Sequence, residues 1–284
     1  MKPAPFSYHA PKTIEEALAV LARVAPEDGR VLAGGQSLVP TMAFRLARPR
    51  HLVDINGVAG LDRLAVEGGR LCVGARVRHA AFETPPEPGA LGRLLAKVVQ
   101  HIAHHPIRTR GTMCGSLAHA DPASEWCAVA TALDAEMIAK SARGTRTIAA
   151  KDYFQGIMTT ALAEDELLAE VRLPLLSADT RTGFVEFNRR AGDFAFAMAV
   201  VAYQVKDGKI AEPRVAVGGA EASPRRIAAA ESAIAGKAPG VDAFTAAGEA
   251  AAKAIDPLED ASIPQNYRRD LVRTLVIRAL SEAA

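Results

Sequence analysis

Two short segments carry the residue types that grip a phosphate-bearing ligand. The first is Val31-Leu32-Ala33-Gly34-Gly35-Gln36-Ser37-Leu38, where a buried strand delivers the chain into two glycines and two small polar residues. Glycine admits positive φ and lets a ligand approach the backbone closely. Successive backbone N–H groups then form a concave nest that suits phosphate, and Gln36 and Ser37 can add side-chain hydrogen bonds. The second is Arg110-Gly111-Thr112-Met113-Cys114-Gly115-Ser116-Leu117-Ala118-His119-Ala120-Asp121-Pro122. Its Gly111, Thr112, Gly115 and Ser116 again suit a phosphate or a ribityl chain threading past backbone amides. Taken singly, each segment also reads as an ordinary tight turn or surface loop. Facing one cleft, the two could hold an extended dinucleotide from both sides. They would do so without GxGxxG or GxxxxGK(S/T), neither of which the chain contains, and there is no GxSxG nucleophile elbow either.

Other constellations point to other chemistry, more weakly. His101, His104 and His105 have i, i+3, i+4 spacing. No fourth ligand is evident and Pro106 ends the helix, so a helix-end cluster beside the loop is the simpler reading than a zinc site. Ser37, His119 and Asp121 are the residue types of a hydrolytic triad but fit phosphate cradles better. Asp193 with Arg190 reads equally as a simple loop salt bridge or as part of a ligand site. Cys72, Cys114 and Cys127 are odd in number and lack CxxC spacing, which fits a reducing cytoplasmic setting and cannot supply a four-cysteine iron–sulfur site.

The elements that must position these residues follow from periodicity. Helices are predicted at Thr13–Val24, with Thr13 and Glu16 as a capping box, at Leu91–Ala103, and at Glu125–Leu133. Strands are predicted at Arg30–Ala33, His51–Ile55, Arg63–Glu67, Arg70–Ala75, Glu136–Ala139, Thr145–Ile148 and Leu167–Leu173, and the stretch His104–Pro122 reads as a loop. After a linker at Leu175–Thr182 the pattern becomes strands Gly183–Arg190, Ala197–Lys206 and Lys209–Val217, then helices Arg225–Ala235, Asp242–Ala254 and about Gln265–Glu282. The last helix is read as core through Leu271, Leu275, Ile277 and Leu280. The 284 residues, 49% hydrophobic and 23% charged with a net charge of +2, allow a sizeable core without metals or disulfides. Basic residues are scattered rather than clustered, which argues against nucleic-acid binding. Nothing in the sequence reads as a signal peptide or a membrane span.

At this point a resemblance becomes specific. The two glycine segments, together with Leu52-Val53-Asp54-Ile55-Asn56, Arg190-Ala191-Gly192-Asp193-Phe194-Ala195 and Asn266-Tyr267-Arg268-Arg269, resemble the FAD-binding medium subunit of the xanthine dehydrogenase family of molybdenum hydroxylases. The nearest likeness is to the carbon monoxide dehydrogenase flavoprotein type, over essentially the whole chain. It implies an α+β chain with a two-part FAD-binding domain of the vanillyl-alcohol-oxidase (PCMH) type at residues 1–176 (subdomains about 1–57 and 58–176). A smaller α+β domain follows at 177–284.

The resemblance also assigns roles. Leu32, Ala33, Gly34, Gly35, Gln36, Ser37 and Leu38 would bind the FAD pyrophosphate and ribityl chain. Gly111, Thr112, Cys114, Gly115 and Ser116 would cover its other side, with His119 in the same cofactor-binding set. Asp121 and Glu125 would lie near the polar chain or the adenosine, and Leu168 against the flavin side. Phe194 stands where the family has an aromatic residue, often Tyr, beside the isoalloxazine, and Arg189 or Arg190 would neutralise its pyrimidine edge. No catalytic side chain and no metal ligand is expected. Cys114 replaces one of two adjacent glycines, so a left-handed backbone there would be strained and FAD would bind more weakly or with a shifted loop. The implied partners are a molybdenum-binding large subunit and a small subunit with 2Fe–2S clusters, as a dimer of heterotrimers, with an external electron acceptor. Two alternatives stay open: a self-contained FAD-dependent oxidoreductase, and a non-catalytic assembly subunit that has lost FAD.

Overall fold

A computed structural model of the chain describes residues 2–259 and 263–284. The chain begins with β1 (Ser7–His9), α1 (Ile14–Val24), β2 (Gly29–Leu32), α2 (Leu38–Ala43) and β3 (His51–Asp54). The three strands form a parallel sheet in the order β1-β3-β2. Thr13 caps α1 by accepting the Glu16 N–H at 3.2 Å, and the Glu16 carboxylate accepts the Lys12 N–H at 2.8 Å. The capping box therefore closes one residue earlier than the standard pattern. Ala17, Leu21 and Val24 share the buried face of the helix.

The middle of the chain folds as β4 (Leu64–Glu67), β5 (Arg70–Gly74), α3 (Ala90–Val99), α4 (His105–Arg108), α5 (Met113–His119) and α6 (Glu125–Ala132), then β6 (Glu136–Ser141), β7 (Gly144–Ala149) and α7 (Ala150–Tyr153). The hairpin β8 (Phe154–Gly156) and β9 (Thr159–Thr160) and the strand β10 (Leu167–Pro174) complete it. The sheet is antiparallel, in the order β4-β5-β10-β6-β7, so β10 returns to pair between the two hairpins that precede it. Two readings need correcting here. The predicted helix to Ala103 stops at Val99, and Ala103 itself has φ +44°. The stretch His104–Pro122 is not a plain loop, since it contains α4 and α5.

The third part is β11 (Arg181–Phe187), β12 (Ala197–Lys206), β13 (Lys209–Gly218) and β14 (Arg225–Arg226), followed by α8 (Ala228–Ile234), α9 (Val241–Ala254) and α10 (Gln265–Ala283). The antiparallel sheet runs in sequence order. Arg225 and Arg226 pair with β13, so α8 starts three residues later than predicted. Along β12 the side chains alternate between two cores, as the period of two requires. Ala199, Val201 and Tyr203 join the core made with α8, α9 and α10, whereas Met198, Val200 and Ala202 join the core that contains α3, α5 and α6. Leu271, Leu275 and Leu280 of α10 are buried in the former, and Ile277 packs at its edge.

Candidate cofactor groove between two glycine segments

The first segment leaves β2 at Leu32 and turns through Gly34 and Gly35 into α2. Gly35 has φ +71°, a conformation open to glycine and strained for other residues. Gly34 needs its missing side chain for a different reason: a Cβ there would stand 2.3 Å from the Arg110 carbonyl oxygen and 2.6 Å from Gly111 Cα. The two glycine segments therefore cross backbone on backbone.

Residues that neither segment contains brace the crossing. Asn56 Nδ2–H donates to Ala33 O at 2.7 Å and to Asp54 Oδ1 at 2.6 Å, which ties the first segment to β3. Asn56 Oδ1 accepts from the Arg78 guanidinium at 2.5 Å, and that guanidinium also donates to the Arg110 carbonyl. In the sequence Asn56 stands out only as part of a motif, and no local pattern marks Arg78. The available signal was a lone asparagine two residues after the strand-ending Asp54.

Two cavities flank the crossing. One, of about 330 Å³, is lined by the predicted residues 32–38, Gly111, Thr112, Cys114, Gly115, Ser116, His119 and Leu168. The other, of about 600 Å³, is lined by Asp121, Glu125, Arg190 and Phe194. Gln36, Ser37, His79, Ser116 and His119 wall both, so the cavities form one groove with a neck. The expected grouping changes accordingly. Leu168 and Phe194 do not share a cavity, and Phe194 lies instead with Asp121 and Glu125. The cause is topological, because Leu168 stands on β10 whereas Phe194 follows β11 at the edge of the other sheet.

Details of the walls differ from expectation in informative ways. Cys114 lies within α5, outside the positive-φ region, with its Sγ buried and 3.5 Å from Val73 O. The strain expected of a Cβ at this site is therefore absent. Thr112 caps α5 by accepting the Gly115 N–H at 3.0 Å. A Cβ on Gly115 would press on that hydroxyl at 2.7 Å, which explains the glycine. Phe194 is 72% exposed. Arg190 faces solvent and pairs with Asp193 at 3.0 Å, while the Arg189 guanidinium sits 5.8 Å from the Phe196 ring centroid. Glu125 is buried, and burial first, then the nearby Glu186 charge, pushes its carboxyl up to about 8.

The three helix-end histidines take separate partners. His101 meets Glu186 at 3.3 Å, His105 meets Glu83 at 3.4 Å, and His104 lies against Gly192. Asp121 accepts the Ala123 N–H at 2.9 Å. Among the described residues, no hydrogen bond joins it to His119 as a triad would need.

A mixed α+β chain with a necked groove between glycine segments is the architecture of an FAD-binding domain without a Rossmann motif. Residues 4–176 match the family described as the FAD binding domain in molybdopterin dehydrogenase, and residues 183–283 match the CO dehydrogenase flavoprotein C-terminal domain. The nicotine 6-hydroxylase medium subunit of Paenarthrobacter nicotinovorans is 39% identical over 100% of this chain and 99% of its own length. Carbon monoxide dehydrogenase from Hydrogenophaga pseudoflava superposes with a TM-score of 0.95 at 35% identity, covering 100% of this chain and 98% of that one. Quinoline 2-oxidoreductase from Pseudomonas putida 86 superposes with a TM-score of 0.93 at 34% identity, covering 100% and 98%. The chain belongs to the family of FAD-binding medium subunits of molybdenum hydroxylases.

The groove fits that cofactor. Its size lies in the usual range for ligand sites. Gly34, Gly35 and Gly111 line it with bare backbone, and at Gly34 a side chain would fill the space between the two segments.

Proposed function

We propose that the chain is the FAD-carrying electron-transfer subunit of a heteromeric molybdenum hydroxylase. Its partners are a molybdenum-binding large subunit and a small subunit holding 2Fe–2S clusters, assembled as a dimer of heterotrimers, and it delivers electrons to an external acceptor. The observation that carries this reading is the backbone crossing of Gly34 on Arg110 and Gly111, which sets two cavities end to end. The pyrophosphate belongs at the neck, held by residues 34–37 and by Gly111, Thr112 and Ser116. The adenosine belongs in the smaller cavity beside Leu168. The flavin ring belongs in the larger one, beside Phe194 and Arg190 and near Asp121 and Glu125. When bound, FAD supplies the redox chemistry, taking up electrons singly and giving them on. The chain's own residues bind and orient it, and no side chain acts as base or nucleophile. Three buried free cysteines suit a cytoplasmic location.

A strained Cys114 would favour an assembly subunit without FAD, but the residue is helical and buried, outside the positive-φ region. The test is an absorption spectrum of the full chain after addition of FAD and removal of the excess. About one flavin per chain, in a protein that simple organic donors fail to reduce, is the expected result. Steady turnover with such donors would support a self-contained oxidoreductase instead, and absence of flavin from both the chain and its co-expressed assembly would overturn the reading.

A further inference from the structure

The imidazole of His79 stands at the neck of the groove and walls both cavities, yet belongs to neither glycine segment. It is 4% exposed. Its backbone N–H donates to Gly111 O at 3.0 Å, which fixes it beside the second segment. The indole Nε1 of Trp126 lies 2.9 Å from His79 Nδ1. An indole N–H only donates, so Nδ1 must accept, and the neutral ring then carries its proton on Nε2. Burial, with the Arg78 and Arg108 charges, lowers the ring to about 4, so it is neutral near pH 7.

Nε2 meets the neck directly. A Cβ on Gly111 would stand 2.6 Å from Nε2 and from Cδ2, so glycine at 111 leaves this nitrogen uncovered. No protein acceptor engages Nε2 among the described residues. Nε2 is thus a donor of fixed tautomer on the wall of the groove with no protein acceptor, open to an oxygen of a bound ligand. The middle of an extended dinucleotide is its pyrophosphate, which offers acceptor oxygens and no donor.

We propose that His79 is a binding residue for the FAD pyrophosphate, donating from Nε2 at the neck between the two cavities. This rests on the FAD reading above. It also accounts for Trp126, whose hydrogen bond selects the tautomer that points a donor at the ligand.

The test compares FAD affinity, by flavin fluorescence, for the full chain and two substitutions. His79→Asn keeps an oxygen for Trp126 and removes the outer donor, whereas His79→Gln restores an amide donor near the Nε2 position. The expected result is a loss of FAD affinity of about tenfold or more for His79→Asn, with most of it regained in His79→Gln. Riboflavin, which lacks the pyrophosphate, should bind the wild type and His79→Asn alike. In the wild type, the Nε2-bound proton should be seen by nitrogen–proton NMR before FAD is added and move downfield on binding, a readout that does not require either variant to fold. Unchanged FAD affinity in His79→Asn, equal weakening of riboflavin, or a proton on Nδ1 would overturn the assignment. Absence of FAD from the wild-type chain both alone and in its co-expressed assembly would instead sink the functional reading, and this inference with it.

Discussion

At single positions, two glycines and one carboxylate make separable predictions. Gly35 has φ +71°, and a Cβ there would come within 3.1 Å of Val39 and 3.2 Å of Leu32. Gly60 has φ +79° with nothing within 4 Å of its Cβ position. Valine at either site should cost about 1–3 kcal/mol of backbone strain, measured by denaturant melts. Gly35→Val should also lose FAD, whereas Gly60→Val should retain it. If Gly60→Val also loses flavin, general destabilisation and not the shape of the groove explains the effect. Glu125 predicts a pH dependence. Its carboxyl titrates near 8 in the folded chain against a reference of 4.5. Between those values the unfolded chain has released a proton that the folded chain keeps, so stability is full below about 4.5 and declines as pH rises through 8. Glu125→Gln removes that slope. Melts of the flavin-free chains should show the glutamine variant gaining on the wild type between pH 5 and pH 8.5, by on the order of a few kcal/mol. Parallel curves would mean that Glu125 ionises normally.

Elements decide whether the two segments meet. Asn56 and Arg78, whose side chains make the brace to Ala33 and Arg110, line neither cavity. Asn56→Ala leaves the Ala33 carbonyl and the Arg78 guanidinium short of a partner, which should cost about 1–3 kcal/mol. It should also weaken FAD binding in fluorescence titration, with no change in the absorption maxima of the flavin that does bind. Unchanged affinity would show that the segments hold their crossing without the brace. This level was only partly legible in the sequence. Both glycine segments were visible, because Gly34-Gly35 and Gly111 through Ser116 are unusual compositions following apolar elements. That they touch was not, because residues 34 and 110 are joined by a pairing of elements that no local pattern encodes. Helix α5 is hard to see in the sequence because Gly115 and Ser116 dilute its helical character, although Thr112 three residues before Gly115 is a cap signal. The separation of Leu168 from Phe194 was hidden for the same reason as the crossing, since it depends on which sheet carries each residue.

The whole molecule is held at β12, whose two faces serve two cores, and this has a consequence for how the groove fails. Met198, Val200 and Ala202 are buried with the core of the first 176 residues, so the third sheet is part of that core and not merely docked on it. Polar ties reinforce the joint: Asp134 receives Arg226 at 2.8 Å and Arg214 at 3.5 Å, His101 meets Glu186, and Lys97 pairs with Glu282. The larger cavity takes walls from both sides of this joint, Asp121 and Glu125 from one and Arg190 and Phe194 from the other. Opening the joint would therefore both expose β12 and dismantle the cavity proposed for the flavin ring. Calorimetry of the flavin-free chain should show one transition, with the calorimetric and van't Hoff enthalpies in agreement. Met198→Ala, which deletes a side chain from the shared face, should destabilise that transition by about 2–5 kcal/mol without splitting it. Bound FAD should raise the whole transition by mass action, because the ligand binds only where both bodies are folded. Two transitions, with FAD moving only the first body's, would show instead that the glycine crossing carries the binding by itself and that Phe194 and Arg190 contribute little to it.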